Sequence, residues 1–254
     1  MKRAPAFILA LSLAACGQAP GLDRLAPGEQ GRVADIHSGD AFTLDSGLEV
    51  RLAGVQAPRR EDPYAEESRA TLKRLADGRV VRLLYGGAKR DTRGRALAQV
   101  KLAAGGLWLE RALLRAGAVR VRTWPDNRAM AAPMLEAEAY ARNRHIGLWK
   151  LQPYRVLVPA EADGAYGFQV VEARVRRLGK DGDAAILGLA DEERGGLEAE
   201  IAAAALPDFK TAAKAPEQLR GKLVRLRGTI RSGPDGPLLQ LDHPEQVELL
   251  PEKP

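Results

Sequence analysis

GRVADIHSGDAFTLDSGLEVRLAGV (residues 31–55) alternates apolar and polar positions and breaks at Ser38-Gly39 and Ser46-Gly47, which predicts a meander of short strands. Working outward, SRATLKRLADG (68–78) places Ala70, Leu72 and Leu75 on one helical face and stops at Gly78. RVVRLLY (79–85) and ALAQVKL (96–102) supply two further strands, LWLERALLRAG (107–117) a short amphipathic helix, and AMAAPMLEAEAYARNRH (129–145) another helix. Three charged residues sit at turn or strand positions in this region: Asp40 beside Gly39, Arg51 at the head of an apolar run, and Arg95 just after Gly94. One carboxylate and two guanidiniums converging on a cleft make a phosphate site. The carboxylate can hold a divalent cation, and arginine forks orient phosphodiester oxygens bidentately. Against this stand plainer roles. Asp beside Gly is commonly a turn carboxylate, Arg51 can flank a strand at the surface, and Arg95 can be a turn residue.

SGDAF, the run from Arg51 through Arg59, EESRATLKRL (66–75), DTRGRALA (91–98) and EAEAYARNRHIGLW (136–149) follow one another in an order and spacing that resembles the thermonuclease, or staphylococcal-nuclease-like, family. The resemblance covers about 120 residues and implies the fold: mainly β with α (α+β), a five-stranded barrel of oligonucleotide-binding (OB) type with three helices. It also implies calcium-assisted hydrolysis of phosphodiesters in DNA or RNA. On that pattern Asp40 and Gln56 stand at the metal-ligand positions, and Arg51 and Arg95 form the catalytic arginine pair. Two positions depart from it. Gln56 replaces a metal-binding Asp and offers calcium only a neutral carbonyl oxygen. Arg59 replaces the Glu that activates or positions the attacking water, and a guanidinium accepts no proton. Glu61 and His37 are the alternative bases. The phosphate clamp is expected to persist while the hydrolytic machinery is depleted, leaving two readings: a nuclease of reduced activity, or an inactive binder of nucleic acid or another phosphate ligand. A third reading, a purely structural envelope module, treats the charges as solvated surface.

The N-terminus suggests a location. Lys2 and Arg3 precede an apolar run from Ala4 to Ala15 that is too short to span a bilayer. LAAC (13–16) resembles a bacterial lipobox, and Cys16 is the single cysteine of the chain. The reading is a signal peptide over 1–15, a lipidated tether over 16–30 and a membrane anchor at Cys16, with the protein on the outer membrane facing the periplasm. An ordinary secretory signal or a buried thiol is the alternative. The tether, GQAPGLDRLAPGEQ (17–30), is rich in Gly and Pro and lacks periodicity.

Charge divides the remainder. Residues 31–150 hold 22 Lys and Arg against 14 Asp and Glu, whereas residues 151–254 hold 14 against 17. The basic excess therefore lies in 31–150, as expected of a domain that binds nucleic acid. The expected division is a nuclease-like domain over 31–150, a linker over 151–164 marked by Pro153, Pro159 and EADGAYG (161–167), and a second domain over 165–251. In the latter, strand patterns at 167–179, 183–189, 196–203, 222–233 and 236–250 surround a helical PDFKTAAKAPEQLRG (207–221). These resemble the small OB-like β-barrels appended to some bacterial thermonuclease relatives. Phe168 falls in an apolar run that reads as core, and Arg120 and Arg122 alternate on one strand as an extension of the basic face or as solvated surface. The histidines show no metal-ligand spacing.

Overall fold

The computed structural model describes residues 21–190 and 196–252. The proposed signal peptide and Cys16 lie outside the described residues. Among the described residues no helix is long and apolar enough to cross a membrane.

The first half is a closed barrel. Its elements run β1 (Ala26–Ser38), β2 (Ala41–Leu44), β3 (Glu49–Leu52), β4 (Val55–Gln56), α1 (Ala65–Ala76), β5 (Val80–Tyr85), β6 (Ala96–Leu102), α2 (Leu109–Arg115), β7 (Arg120–Val121) and α3 (Ala131–Asn143). Five of the strands close in the order β1-β2-β3-β6-β5, with β3 and β6 parallel and the other pairs antiparallel. The long first strand makes closure possible. It pairs with β5 through its first half and β2 through its second, and register shifts at Pro27/Gln30, Val33/Asp35 and Ile36/Ser38 let it bend. Phe42, Val50, Leu52, Val81, Leu83 and Val100 fill the interior. On α1, Ser68, Thr71, Leu72 and Ala76 form the buried stripe; of the face expected from the sequence only Leu72 is fully buried, since Leu75 is half-buried and Ala70 is exposed.

The second half runs β8 (Gly167–Arg174), β9 (Arg177–Asp181), β10 (Ala184–Gly188), β11 (Glu198–Ile201), α4 (Leu206–Thr211), α5 (Pro216–Leu219), β12 (Leu223–Ser232), β13 (Pro237–Leu241) and β14 (Val247–Leu249). β9 pairs β10, β10 pairs β11, β11 pairs β13 in parallel, β13 pairs β12, and β12 pairs β8. Only Val175 and Arg176 separate β8 from β9, so these pairings run in a ring when the two are followed as one bent strand. The path matches that of the first barrel, including its parallel pair. This is a second β domain with its own core, built on Val171, Leu187, Ile201, Phe209, Leu226 and Leu239.

Two expected boundaries shift. Residues 26–30, read as tether, are strand: Ala26 and Pro27 pair with Tyr85 and Leu84, and the Glu29 carboxylate accepts from the Tyr85 hydroxyl and from Arg90. Local Gly and Pro content gives no sign of a partner more than fifty residues away. The linker over 151–164 is packed down, with Tyr154, Leu157 and Ala162 buried and the Tyr154 hydroxyl donating to Pro63 O at 2.6 Å.

Candidate phosphate cleft

Asp40 follows the turn that ends β1, and space there is short. A Cβ on Gly39 would lie 1.8 Å from Ser68 Oγ on α1, so only glycine fits. The Asp40 side chain is almost completely buried, and donors engage both of its oxygens. Ser38 Oγ donates to Oδ1 at 2.8 Å and the Ala57 N–H to Oδ2 at 2.6 Å. Arg51 Nη1 completes the set at 2.5 Å from Oδ2 and also donates to the Asp40 carbonyl at 3.3 Å. Asp40 thus ties the β1–β2 turn, strand β3 and the loop after β4 together, and it fixes the Arg51 fork.

Arg95 is held in the same manner. Asp91 Oδ2 accepts from Arg95 Nε at 2.8 Å and pairs with Nη2 at 2.7 Å, while Oδ1 accepts the backbone N–H groups of Arg93 and Arg95. Burial alone would push the Asp91 carboxyl up. The Arg95 side chain and the two backbone donors outweigh it and hold the group below the usual carboxylate range. Asp91 is the organiser of this turn. Arg51 and Arg95 line one cleft of about 430 Å³ together with Arg90, Asp91, Leu97 and Trp124. The structure therefore brings Arg51 and Arg95 into one cleft, while Asp40 is not part of its lining and is linked to it through Arg51.

The other candidates lie apart or are differently engaged. Gln56 on β4 accepts a hydrogen bond at 3.1 Å through its Oε1 from Arg122 Nη1. Arg59 and Glu61 are exposed on the loop before α1, where Asp62 accepts the Arg59 N–H at 2.8 Å. His37 lines a neighbouring depression with Arg60, Glu66 and Arg69. One of its ring nitrogens is 2.6 Å from Thr43 Oγ1 and the other 3.4 Å from Asp35.

Calcium takes six to eight oxygen ligands, and the residues present fit it poorly. Both Asp40 oxygens face hydrogen-bond donors, one of them the Arg51 guanidinium, and the Gln56 oxygen faces a second guanidinium. Among the described residues no three His, Cys, Asp or Glu side chains are grouped to hold a metal. In this arrangement arginines occupy the neighbourhood a cation would need.

Arg122 lies beside the cleft in an adjoining hollow that shares Trp124 with it, which its alternation with Arg120 could not establish. Burial first, then repulsion from Arg51 and Arg59, depresses its pKa. Arg120 is instead buried, its pKa lowered by desolvation to about 10, with its guanidinium 5.0 Å from the centres of both the Tyr154 and Phe168 rings. Phe168 is half-buried between the two domains; it is not an interior residue of the second.

Comparison with known proteins places the chain in a family. The family model described as Staphylococcal nuclease homologue matches residues 49–151. A protein of Escherichia coli O157:H7 named "Uncharacterized endonuclease" is 34% identical over 122 residues, which cover 47% of this chain and 76% of that protein. A protein of the same name from Escherichia coli matches to the same extent.

Proposed function

This chain belongs to the staphylococcal nuclease homologue family, and from that premise we propose that residues 31–150 form a nuclease-type cleft that binds nucleic acid by its phosphodiesters. The observation that carries the reading is the meeting of Arg51 and Arg95 in one cleft, each oriented by its own carboxylate. A guanidinium held by a buried or half-buried acid keeps its remaining N–H groups in fixed directions, which suits recognition of non-bridging phosphate oxygens. The same arginines would stabilise charge developing on a phosphoryl group under attack. The name of the E. coli relatives, endonuclease, supports this substrate class.

Cleavage needs a further group to accept the proton of the attacking water, and Arg59 stands where the family carries that acid. We therefore propose slow or absent hydrolysis in the natural chain, with binding as the retained property. The test measures binding of a labelled single-stranded oligodeoxynucleotide in EDTA, and its cleavage across a calcium titration. Salt-sensitive binding with little turnover is expected. Rapid calcium-dependent cleavage would overturn the assignment of reduced activity, and no binding at low salt would overturn the cleft itself. From sequence alone we also propose acylation at Cys16 and an outer-membrane position facing the periplasm, to be checked by mass spectrometry and by fractionation of Cys16→Ser. The ring of strand pairings supports reading the second β domain as an OB-like barrel.

A further inference from the structure

The cleft arginines differ in what already neutralises them. Arg51 is paired with Asp40, Arg95 with Asp91 and Arg90 with Glu29. Each of those guanidiniums meets an incoming phosphate with part of its field cancelled. Arg122 is different: it donates to the neutral Gln56 oxygen and, among the described residues, has no carboxylate partner. Two aromatic rings hold it, with Trp124 4.6 Å and Phe168 5.1 Å from the guanidinium carbon to the ring centre. Trp124 also lines the Arg51–Arg95 cleft, and with Arg122 and Phe168 it lines a crevice between the two domains. The two hollows share a wall.

A half-buried guanidinium crowded by Arg51 and Arg59 gains most from an anion, since the anion relieves repulsion as well as replacing lost hydration. Ring stacking leaves the in-plane N–H groups of a guanidinium free for oxygen acceptors. One of those donors is taken by Gln56, and among the described residues the others meet no acceptor. Phe168 comes from β8, in the second domain, and the same ring and the carbonyl of Phe168 also hold Arg120.

We infer that Arg122 is a third phosphate-binding residue of the cleft, and that Phe168 of the second domain positions it, so that the nucleic-acid site of the barrel is completed by its neighbour. The inference rests on the phosphodiester reading proposed above. It assigns the second domain a part in binding although that domain is net acidic, because what it contributes is an aromatic surface.

The test uses the full-length chain and a short fluorescein-labelled single-stranded oligodeoxynucleotide in EDTA, titrated at several salt concentrations. Arg122→Gln should weaken binding on the order of tenfold and reduce the slope of log affinity against log salt by about 0.7, the loss of one phosphate contact on a single strand. Phe168→Leu should reproduce both changes, and Phe168→Tyr should preserve native affinity. The double variant Arg122→Gln/Phe168→Leu should be no weaker than Arg122→Gln alone, because both remove the same contact. Native affinity and slope in Arg122→Gln, alongside weakened binding in Arg51→Gln, would overturn the inference and leave the cleft reading standing. Additive losses in the double variant would overturn the positioning role of Phe168. Absence of binding by the native chain would remove both. Should Phe168→Leu fail to fold, the salt slope of Arg122→Gln decides the role of Arg122, and Phe168→Met, which keeps the volume without the ring, takes the place of leucine with the same expected and overturning outcomes.

Discussion

Gln56 and Arg59 are the two side chains on which the proposed loss of hydrolysis rests. Gln56 Oε1 holds Arg122 at 3.1 Å, while Arg59 is exposed on the following loop. The double variant Gln56→Asp/Arg59→Glu places two acids beside a cleft whose arginines are already fixed. It should raise calcium-dependent cleavage by about 10²–10⁴-fold, the usual contribution of a positioned base. The comparison is cleavage with calcium and with EDTA, and equal rates for native and variant chains would refute the account of lost hydrolysis. A second residue carries a pH signature. Glu110 is fully buried, and both of its oxygens accept the Val100 N–H at 3.1 Å. Burial pushes its carboxyl from 4.5 up to about 8, with the backbone bond opposing only in part. The folded chain thus holds a proton that the unfolded chain releases between those values. The group's contribution to stability is complete below about 4.5 and is lost as pH rises to about 8. Glu110→Gln keeps the neutral shape at every pH. Its urea-unfolding free energy should gain on that of the native chain between pH 5 and pH 8.5. Parallel pH profiles would show the carboxyl ionised in the fold.

At the scale of elements, the ends of α2 and α3 meet through two glycines. Gly117 and Gly147 both have positive φ, 61° and 62°. A Cβ on Gly147 would lie 2.3 Å from Gly117 O, and the Leu148 N–H donates to that same carbonyl at 2.9 Å. Gly147→Ala should therefore cost at least about 1–3 kcal/mol, from a strained φ and a backbone overlap together, measurable as a lowered urea midpoint. Native stability in that variant would mean that the helix ends move apart freely. HIGLW was legible because it follows the resembled family's pattern and its glycine meets a local demand, a positive φ; the contact with Gly117 left no such mark. The barrel strands were legible for a similar reason, since inward positions such as Val50 and Leu52 alternate with Arg51. The strand over 26–30 was not, because its partner is β5 and its own residues include Pro27 and Gly28. Arg51 and Arg95 could be placed by motif, whereas Arg122 could not. Its surroundings depend on Phe168 in another domain, and no local pattern in VRVRTW records that ring.

Across the whole molecule, the two domains share a buried ionic joint. Arg227 on β12 is 1% exposed and donates at 3.0 Å to Glu138 on α3 and at 2.6 Å to Glu248. Glu138 also accepts the Val121 N–H at 2.7 Å and pairs with Arg142. Burial pushes the Glu248 carboxyl up, but Arg227, Arg225 and Arg142 outweigh it and keep it below the usual range. Breaking such a set is costly because a charge is left buried, so Arg227→Met should destabilise the chain by about 3–5 kcal/mol. Adding Glu138→Gln, which can still accept the Val121 N–H, should recover part of that loss. Chemical denaturation would read both, and simple additivity of the two changes would show that the pair is not coupled.

That joint also sets an order in time. Glu138 and Arg227 are 89 residues apart in the chain, so on a ribosome adding about 5–20 residues per second the carboxylate waits roughly 4–18 s for its partner to be made. During that interval Glu138 has the Val121 N–H and Arg142 from its own domain, and lacks the guanidinium of Arg227. A chain that stops before β8 lacks Arg227 beside Glu138 and the Phe168 ring beside Arg122. The second domain thus supplies its half of the joint last, after every residue that lines the Arg51–Arg95 cleft has already been made.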